Sequence, residues 1–288
     1  MSDKKILLGS NGLFEWSVEE GYRQVGGFNF IVNSVCRGKD KIWLGTTTGI
    51  WELPPHGDGN WIQRHDETVT EVLAAAYSNE AGVLVTTPYG VAAPKHADFN
   101  GEPGWRFFGD DLSVNETFTN TLLVRSEDEG EAWIAGTEAG ILIFTDSGKI
   151  VHRTNLTAVP VRCITQIEDE LWAGTDGQGI WKSRNGYSWK LTASGLEDAS
   201  VFSITQGSSG IFAGTDSGIY RFTGEGKWTL VLPGTVTTSI TAVPWDTNLI
   251  VAGTAWGGIW YSKNGGIRWI NDPELRHVHT VTSFKGAI

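Results

Sequence analysis

The sequence predicts an all-β fold, a seven-bladed β-propeller with four-stranded antiparallel blades, and three observations carry that prediction. First, one phrase recurs: an apolar strand, Gly-Thr, a short polar loop, Gly, and a second apolar strand. It is fullest at Leu171-Trp172-Ala173-Gly174-Thr175-Asp176-Gly177-Gln178-Gly179-Ile180-Trp181. Second, its Gly positions are 9, 45, 136, 174, 214 and 253, with Thr86 standing where a further glycine belongs, and most steps are 36 to 41 residues. A repeat of about 40 residues with four strand-like segments per unit is a propeller signature. Third, the two ends of the chain are incomplete units that complete each other.

Taken in order, Ile6–Gly9, Gly12–Trp16 and Tyr22–Val25 read as strands B, C and D with no strand A before them. The phrase then recurs at Trp43–Thr46 with Gly49–Trp51, at Val85–Thr87 with Gly90-Val91, and at Trp133–Thr137 with Gly140-Ile141. Extra residues around His96 to Pro103 and Asp110 to Thr117 lengthen the step to Gly136. The clearest unit follows: strand A Val161–Ile167, B Leu171–Thr175, C Gly179–Ser183 and D Ser188–Thr192, with Asn185-Gly186 as a hairpin turn. Two more copies run through Phe212–Tyr220 and Val251–Trp260. The strand D tryptophan recurs as Trp61, Trp105, Trp189, Trp228 and Trp269, a bulky ring suited to filling the space between adjacent sheets. Last, His279–Gly286 reads as a strand A with nothing after it. Pairing Val281–Lys285 with Ile6–Gly9 makes one complete blade and leaves no open seam. The expected blades are 1–26 plus 277–288, 31–64, 70–109, 118–154, 160–193, 200–232 and 238–271, all within one domain spanning 1–288.

Composition agrees. The 288 residues include 37 Gly and 14 Trp, a balance that favours strands and tight turns over helices. No apolar run approaches the roughly 18–20 residues that span a bilayer, and the apolar run after Lys4-Lys5 stops at Gly9, too short for a signal-peptide core. A cytoplasmic protein is therefore expected. The two cysteines, Cys36 and Cys163, form no metal or disulfide framework and read as small core residues. A net charge of −11 argues against nucleic acid and anionic membrane surfaces and suits basic or cationic partners.

The string Ile164–Ile167, Leu171–Thr175, Gly179–Trp181 resembles the propeller repeat of two-component-regulator sensors. Ser262-Lys263-Asn264-Gly265-Gly266-Ile267-Arg268-Trp269 resembles the Asp-box hairpin, Ser-x-Asp-x-Gly-x-x-Trp, of BNR-type propellers, with Asn264 at the Asp position; Ser183–Trp189 is a shorter version. The resemblance covers the whole chain as a repeat architecture and implies a structural role for Asn264, which can bond the hairpin backbone as Asp does. BNR-type propellers include sialidases, other glycosidases and receptors, so the resemblance implies the fold and leaves activity open. A sialidase needs an arginine cluster and a tyrosine nucleophile. Arg37, Arg125 and Arg162 all lie on expected A strands, but no sialidase motif surrounds them and no tyrosine can be assigned.

Strand alternation sends the B–C and D–A loops to one face, and the resemblance implies that ligands use this face around the central channel. The B–C loops carry Tyr89, Asp176, Asp216 and Trp256; the D–A loops carry Phe28, Phe30, His65, Asp66 and His277. His279 aligns with Asn33, Arg162, Phe202 and Ser239 at the channel-side start of strand A. If the final strand begins early enough, His277 and His279 share one of its faces. The candidates for chemistry are His279, Arg162, Asp66, Asp176 and Asp216, as general acids, bases or charge partners. Phe28, Phe30, Tyr89, Trp256, Asn33 and His277 are the candidates for ligand contact. A zinc site would want a third ligand such as His65 or Asp66, and no metal set or cofactor is assigned. The threonines of the repeat read as turn hydroxyls. The leading expectation is a monomeric, non-catalytic binding or scaffold propeller recognising a small molecule, a carbohydrate or a basic protein on this acidic-aromatic face. The alternatives are a glycoside- or lactone-type hydrolase or lyase at the channel mouth, and a lectin.

Overall fold

A computed structural model of the chain describes residues 4–39, 41–53, 60–96, 104–128, 130–224 and 226–285. Residues 1–3 and 286–288 of the expected first blade, and most of the expected insertion before Pro103, lie outside the described residues. Seven four-stranded antiparallel sheets form the seven blades. The strands A pack against one another around the ring and are innermost. Blade 5 shows the plan: Val161–Ile167, Glu170–Thr175, Ile180–Ser183 and Lys190–Leu191 run outward in order. Its strand D is shorter than Ser188–Thr192 because the preceding turn uses the backbone. The Trp189 N–H donates to Asn155 Oδ1 at 2.8 Å, and the N–H groups of Tyr187 and Ser188 donate to Asn185 Oδ1. Asn264 acts likewise in blade 7, accepting the Arg268 N–H at 2.9 Å.

Strands B and C supply the continuous apolar stretches, buried on both faces by neighbouring blades. Among the described residues the buried side chains form seven clusters, one at each blade–blade contact. The strand D tryptophans fill these contacts as expected. Trp61, Trp105, Trp189 and Trp228 are 1–5 % exposed, and Trp269 is half-buried against Phe212. Two of them also tie blades together: Trp61 Nε1 donates to the Val25 carbonyl at 3.2 Å and Trp105 Nε1 to that of Arg64 at 3.1 Å. The extra residues from Asp110 to Thr117 contain a single helical turn, Val114–Thr117, whose Ser113 and Glu116 form a capping box.

Closure joins the two ends of the chain as expected. The last strand, Thr280–Lys285, pairs antiparallel with Lys4–Ser10, matching Leu8 to Val281 and Ile6 to Ser283. This places C-terminal strand A and N-terminal strands B to D in one sheet. Cys36 and Cys163 are free, and burial pushes both thiols up to about 12.

Candidate functional site

The B–C loops of the repeat build the site. Thr46, Thr87, Thr137, Thr175, Thr215 and Thr254 are 0–1 % exposed. Each hydroxyl donates to the carbonyl of the glycine that ends its loop, at 2.7–3.1 Å. These threonines are turn locks, as their recurrence suggested. The next residue is fixed as well. The N–H groups of Thr47, Glu138, Asp176, Asp216 and Ala255 donate to Ile31, Phe118, Pro160, Ser200 and Val236, the carbonyls just before strand A. In these five blades the repeat therefore delivers one side chain to the same place, and on three successive blades it is an acid: Glu138, Asp176 and Asp216.

A second ring comes from strand A. In blades 2, 4, 5, 6 and 7 the pairing with strand B slips at the second residue, a β-bulge that re-aims the side chain. The bulged residues are Asn33, Asn120, Arg162, Phe202 and Thr238. The aligned residue in blade 7 is thus Thr238, one before the expected Ser239. Ser239 instead stitches blades, exchanging hydrogen bonds with the Val281 backbone. Three bulged residues bond across to the next blade: Asn33 to the Val72 carbonyl at 3.0 Å, Asn120 to that of Val161 at 3.2 Å, and Thr238 to that of Val278.

Arg162 joins the two rings. Nη1 contacts Glu138 Oε1 at 2.6 Å and Nη2 contacts Asp176 Oδ2 at 2.7 Å. Asn120 donates to the same Glu138 oxygen at 3.0 Å, and Ser200 Oγ donates to Asp176 Oδ1. The Arg162 hydrogen bond, followed by that of Ser200, holds Asp176 below the usual carboxylate range. Asp216, on the adjacent blade, is exposed.

The other candidates separate. His277, Val278 and His279 precede the last strand, so the shared strand face does not form. His277 Nδ1 donates to the Ala255 carbonyl and its ring meets Trp256 edge-on at 5.0 Å. The His279 N–H donates to Gly9 at 2.8 Å, and its ring, partly desolvated and near His277, has a lowered pKa. Trp256 and Tyr89 are 75 % and 67 % exposed on B–C loops. Phe28 and Phe30 stack on each other and pack on Trp51 and Trp61 between blades 1 and 2. Asp66 faces blade 3. Burial pushes its pKa up, but Thr68, which donates from its hydroxyl at 2.5 Å and its N–H at 2.9 Å, lowers it on balance together with Trp105 and Lys95. Arg162 stands at the start of its strand, whereas Arg37 ends one and Arg125 lies near the end of another and donates to the Arg184 carbonyl. The three arginines therefore do not converge. Among the described residues no group of three or more His, Cys, Asp or Glu is placed to hold a metal ion, and no helix is long and apolar enough to cross a membrane.

Asn120 and Ser200 were missed as partners of the acids. Asn33, Arg162 and Phe202 stand 12 residues before their repeat glycine, but Thr238 stands 15 before Gly253 and Asn120 stands 16 before Gly136. The longer A–B hairpins of blades 4 and 7 hide the alignment.

Comparison with protein-family models and with curated proteins gives no match. Solved structures do match. The extracellular domain of a protein described as hybrid two-component system BT4673, from B. thetaiotaomicron, is 12% identical, with a TM-score of 0.66 over 93% of this chain and 34% of that one. Niastella koreensis GH74 enzyme is 12% identical, with a TM-score of 0.72 over 92% of this chain and 51% of that one. The β-propeller domain of Myceliophteria thermophila Cps50 (Swd1) is 11% identical, with a TM-score of 0.63 over 88% of this chain and 94% of that one. This chain spans about a third of the length of the B. thetaiotaomicron chains it matches. At such identities the likeness shows the fold, a β-propeller, and leaves the role open.

Proposed function

We propose that this propeller is a binding module that captures a basic protein segment on the face formed by its B–C loops. The observation that carries the proposal is the delivery of Glu138, Asp176 and Asp216 to equivalent places on three consecutive blades, with exposed Trp256 on the next. A row of carboxylates draws in cations over about a Debye length, and an exposed indole beside it offers a face to an arginine or lysine. The fold likeness to the extracellular domain of a two-component system and to the Cps50 propeller supports the same reading. Arg162 sets the limit of this field by neutralising part of Glu138 and Asp176.

The test is fluorescence anisotropy with a labelled arginine-lysine peptide and a scrambled acidic control. Binding should weaken steeply with salt, and D216N and Trp256→Ala should each reduce it with the melting temperature unchanged. Absence of binding at low salt, or binding indifferent to both substitutions, overturns the proposal. The alternative of a hydrolase at the same mouth is supported by the Arg162–Asp176 pair and the GH74 likeness. Turnover in a screen of polysaccharide fragments would favour it over a binding role.

A further inference from the structure

One connection departs from the repeat on the same face as the acids. The D–A loop of blade 3 carries the extra residues Asp110 to Thr117, and insertions in repeat folds often mark the binding face. The loop is pinned along its length. Leu112 turns inward and packs on the core between blades 3 and 4. Ser113 and Glu116 cap the turn Val114–Thr117 reciprocally, and Glu116 reaches Arg153 of blade 4 at 2.6 Å. The Phe118 carbonyl then accepts the Glu138 N–H at 3.1 Å. The turn lies against Gly90–Pro94 of blade 3 and Gly130–Thr137 of blade 4.

This ordered loop holds apolar side chains out in water. Val114 is 84 % exposed and Phe118 37 % exposed. Tyr89, also exposed, immediately precedes the Gly90 strand on which the turn lies, and its N–H is locked to Thr87 Oγ1 at 2.9 Å. A single exposed apolar residue is ordinary; three on adjoining segments of one face form a patch that marks an interaction site. The borders of the patch are acidic. Asp110 and Asp111 are exposed in the same loop, and Glu138, whose N–H is bonded to Phe118, is the first of the row of acids. The surrounding charge therefore favours a cationic partner. A second copy of this chain, with a net charge of −11, would meet like charge there.

We propose that this patch is the apolar anchor point for the basic segment captured on the acidic face. Tyr89, Val114 and Phe118 seat one large aliphatic or aromatic side chain of the partner, and its cations run on from there along the acids. The inference rests on the basic-segment reading and narrows the partner to an amphipathic segment instead of a plain polycation. Because the loop is already pinned, little ordering is lost when the anchor seats.

Fluorescence anisotropy of the full chain with two sets of labelled arginine-lysine peptides tests this. One set carries a single leucine before, within or after the basic run, and the other carries serine at the same places. At least one leucine peptide should bind about tenfold more tightly than its serine counterpart, the worth of burying one such side chain. Val114→Ser and Tyr89→Ser should each bring that ratio down towards one. Both positions are exposed, so the melting temperature should hold. D216N should weaken both sets and keep the ratio. Serine peptides that bind while leucine adds nothing overturn the anchor alone, as does a leucine gain that survives both substitutions. Failure of every peptide at low salt overturns the basic-segment reading and the anchor with it. Sedimentation velocity should show a monomer; a dimer that Val114→Ser dissolves would make a second copy the occupant and overturn the proposal.

Discussion

Arg162 is the residue on which the charge of the channel mouth turns. Its guanidinium and both carboxylates are about a quarter to a third exposed, so the pairs are partly solvated and weaker than buried ones. Arg162→Met should therefore cost only about 1 kcal/mol in chemical denaturation. The same change removes a positive charge that neutralises Glu138 and Asp176, so the basic peptide should bind about twofold to fivefold more tightly. Tighter binding from a destabilised variant separates an electrostatic role from a merely structural one. Acid should act in the same place. Asp176 has a depressed pKa, so its contribution is complete above the ordinary aspartate value, near pH 4, and is lost as pH falls through the lower folded value. His279 works in the same direction at a higher pH. Its lowered pKa means that the unfolded chain binds the proton more readily, so stability falls as pH drops through about 6.5. His279→Asn should flatten the melting temperature between about pH 6.5 and 5.

At the scale of the element, the repeat glycine accompanies the strand A bulge in five blades. A Cβ at Gly174 would lie 2.6 Å from Cys163 Sγ and 2.7 Å from both Cγ1 and the carbonyl oxygen of Val201. Blade 3 carries Thr86 there, and its strand A pairs without a register shift, Ala74 opposite Thr86. Gly174→Ala should therefore destabilise the protein by about 1–3 kcal/mol through overpacking, read from urea unfolding. Trp228→Ala, which empties the contact between blades 5 and 6, should cost about 3–5 kcal/mol. This coupling also shows what a sequence makes visible. Period, strand order and buried tryptophans were legible because each is a local pattern repeated by the same packing demand. Asp176, Asp216 and Trp256 were legible as loop residues of that pattern. Which acid meets which cation was not, because Arg162 reaches Glu138 across a blade boundary, 24 residues away. Phe28, Phe30 and Asp66 sit on D–A loops, whose lengths differ from blade to blade, and no repeat fixes how far from the axis their side chains come to rest.

At the scale of the whole molecule, the ring depends on one pairing between distant parts of the chain. Removing residues 277–288 takes away the innermost strand of blade 1 and uncovers the edge of Leu7 and Leu8, now at most 1 % exposed. Each uncovered backbone group or side chain should cost on the order of 1–3 kcal/mol. A few such losses rival the roughly 5–15 kcal/mol that holds a typical domain together. The truncated chain should aggregate or melt without cooperativity in calorimetry; a soluble product with the parent melting temperature would contradict this. The register of that pairing also sets how the ring answers to tension. Lys4 lies opposite Lys285 at one end of the pair and Gly9 opposite Thr280 at the other. A pull on the two termini therefore loads the Lys4–Lys285 rung first and parts the rungs in sequence, like a zipper, instead of shearing them together. The same seam that resists heat as one cooperative unit should yield to force one rung at a time.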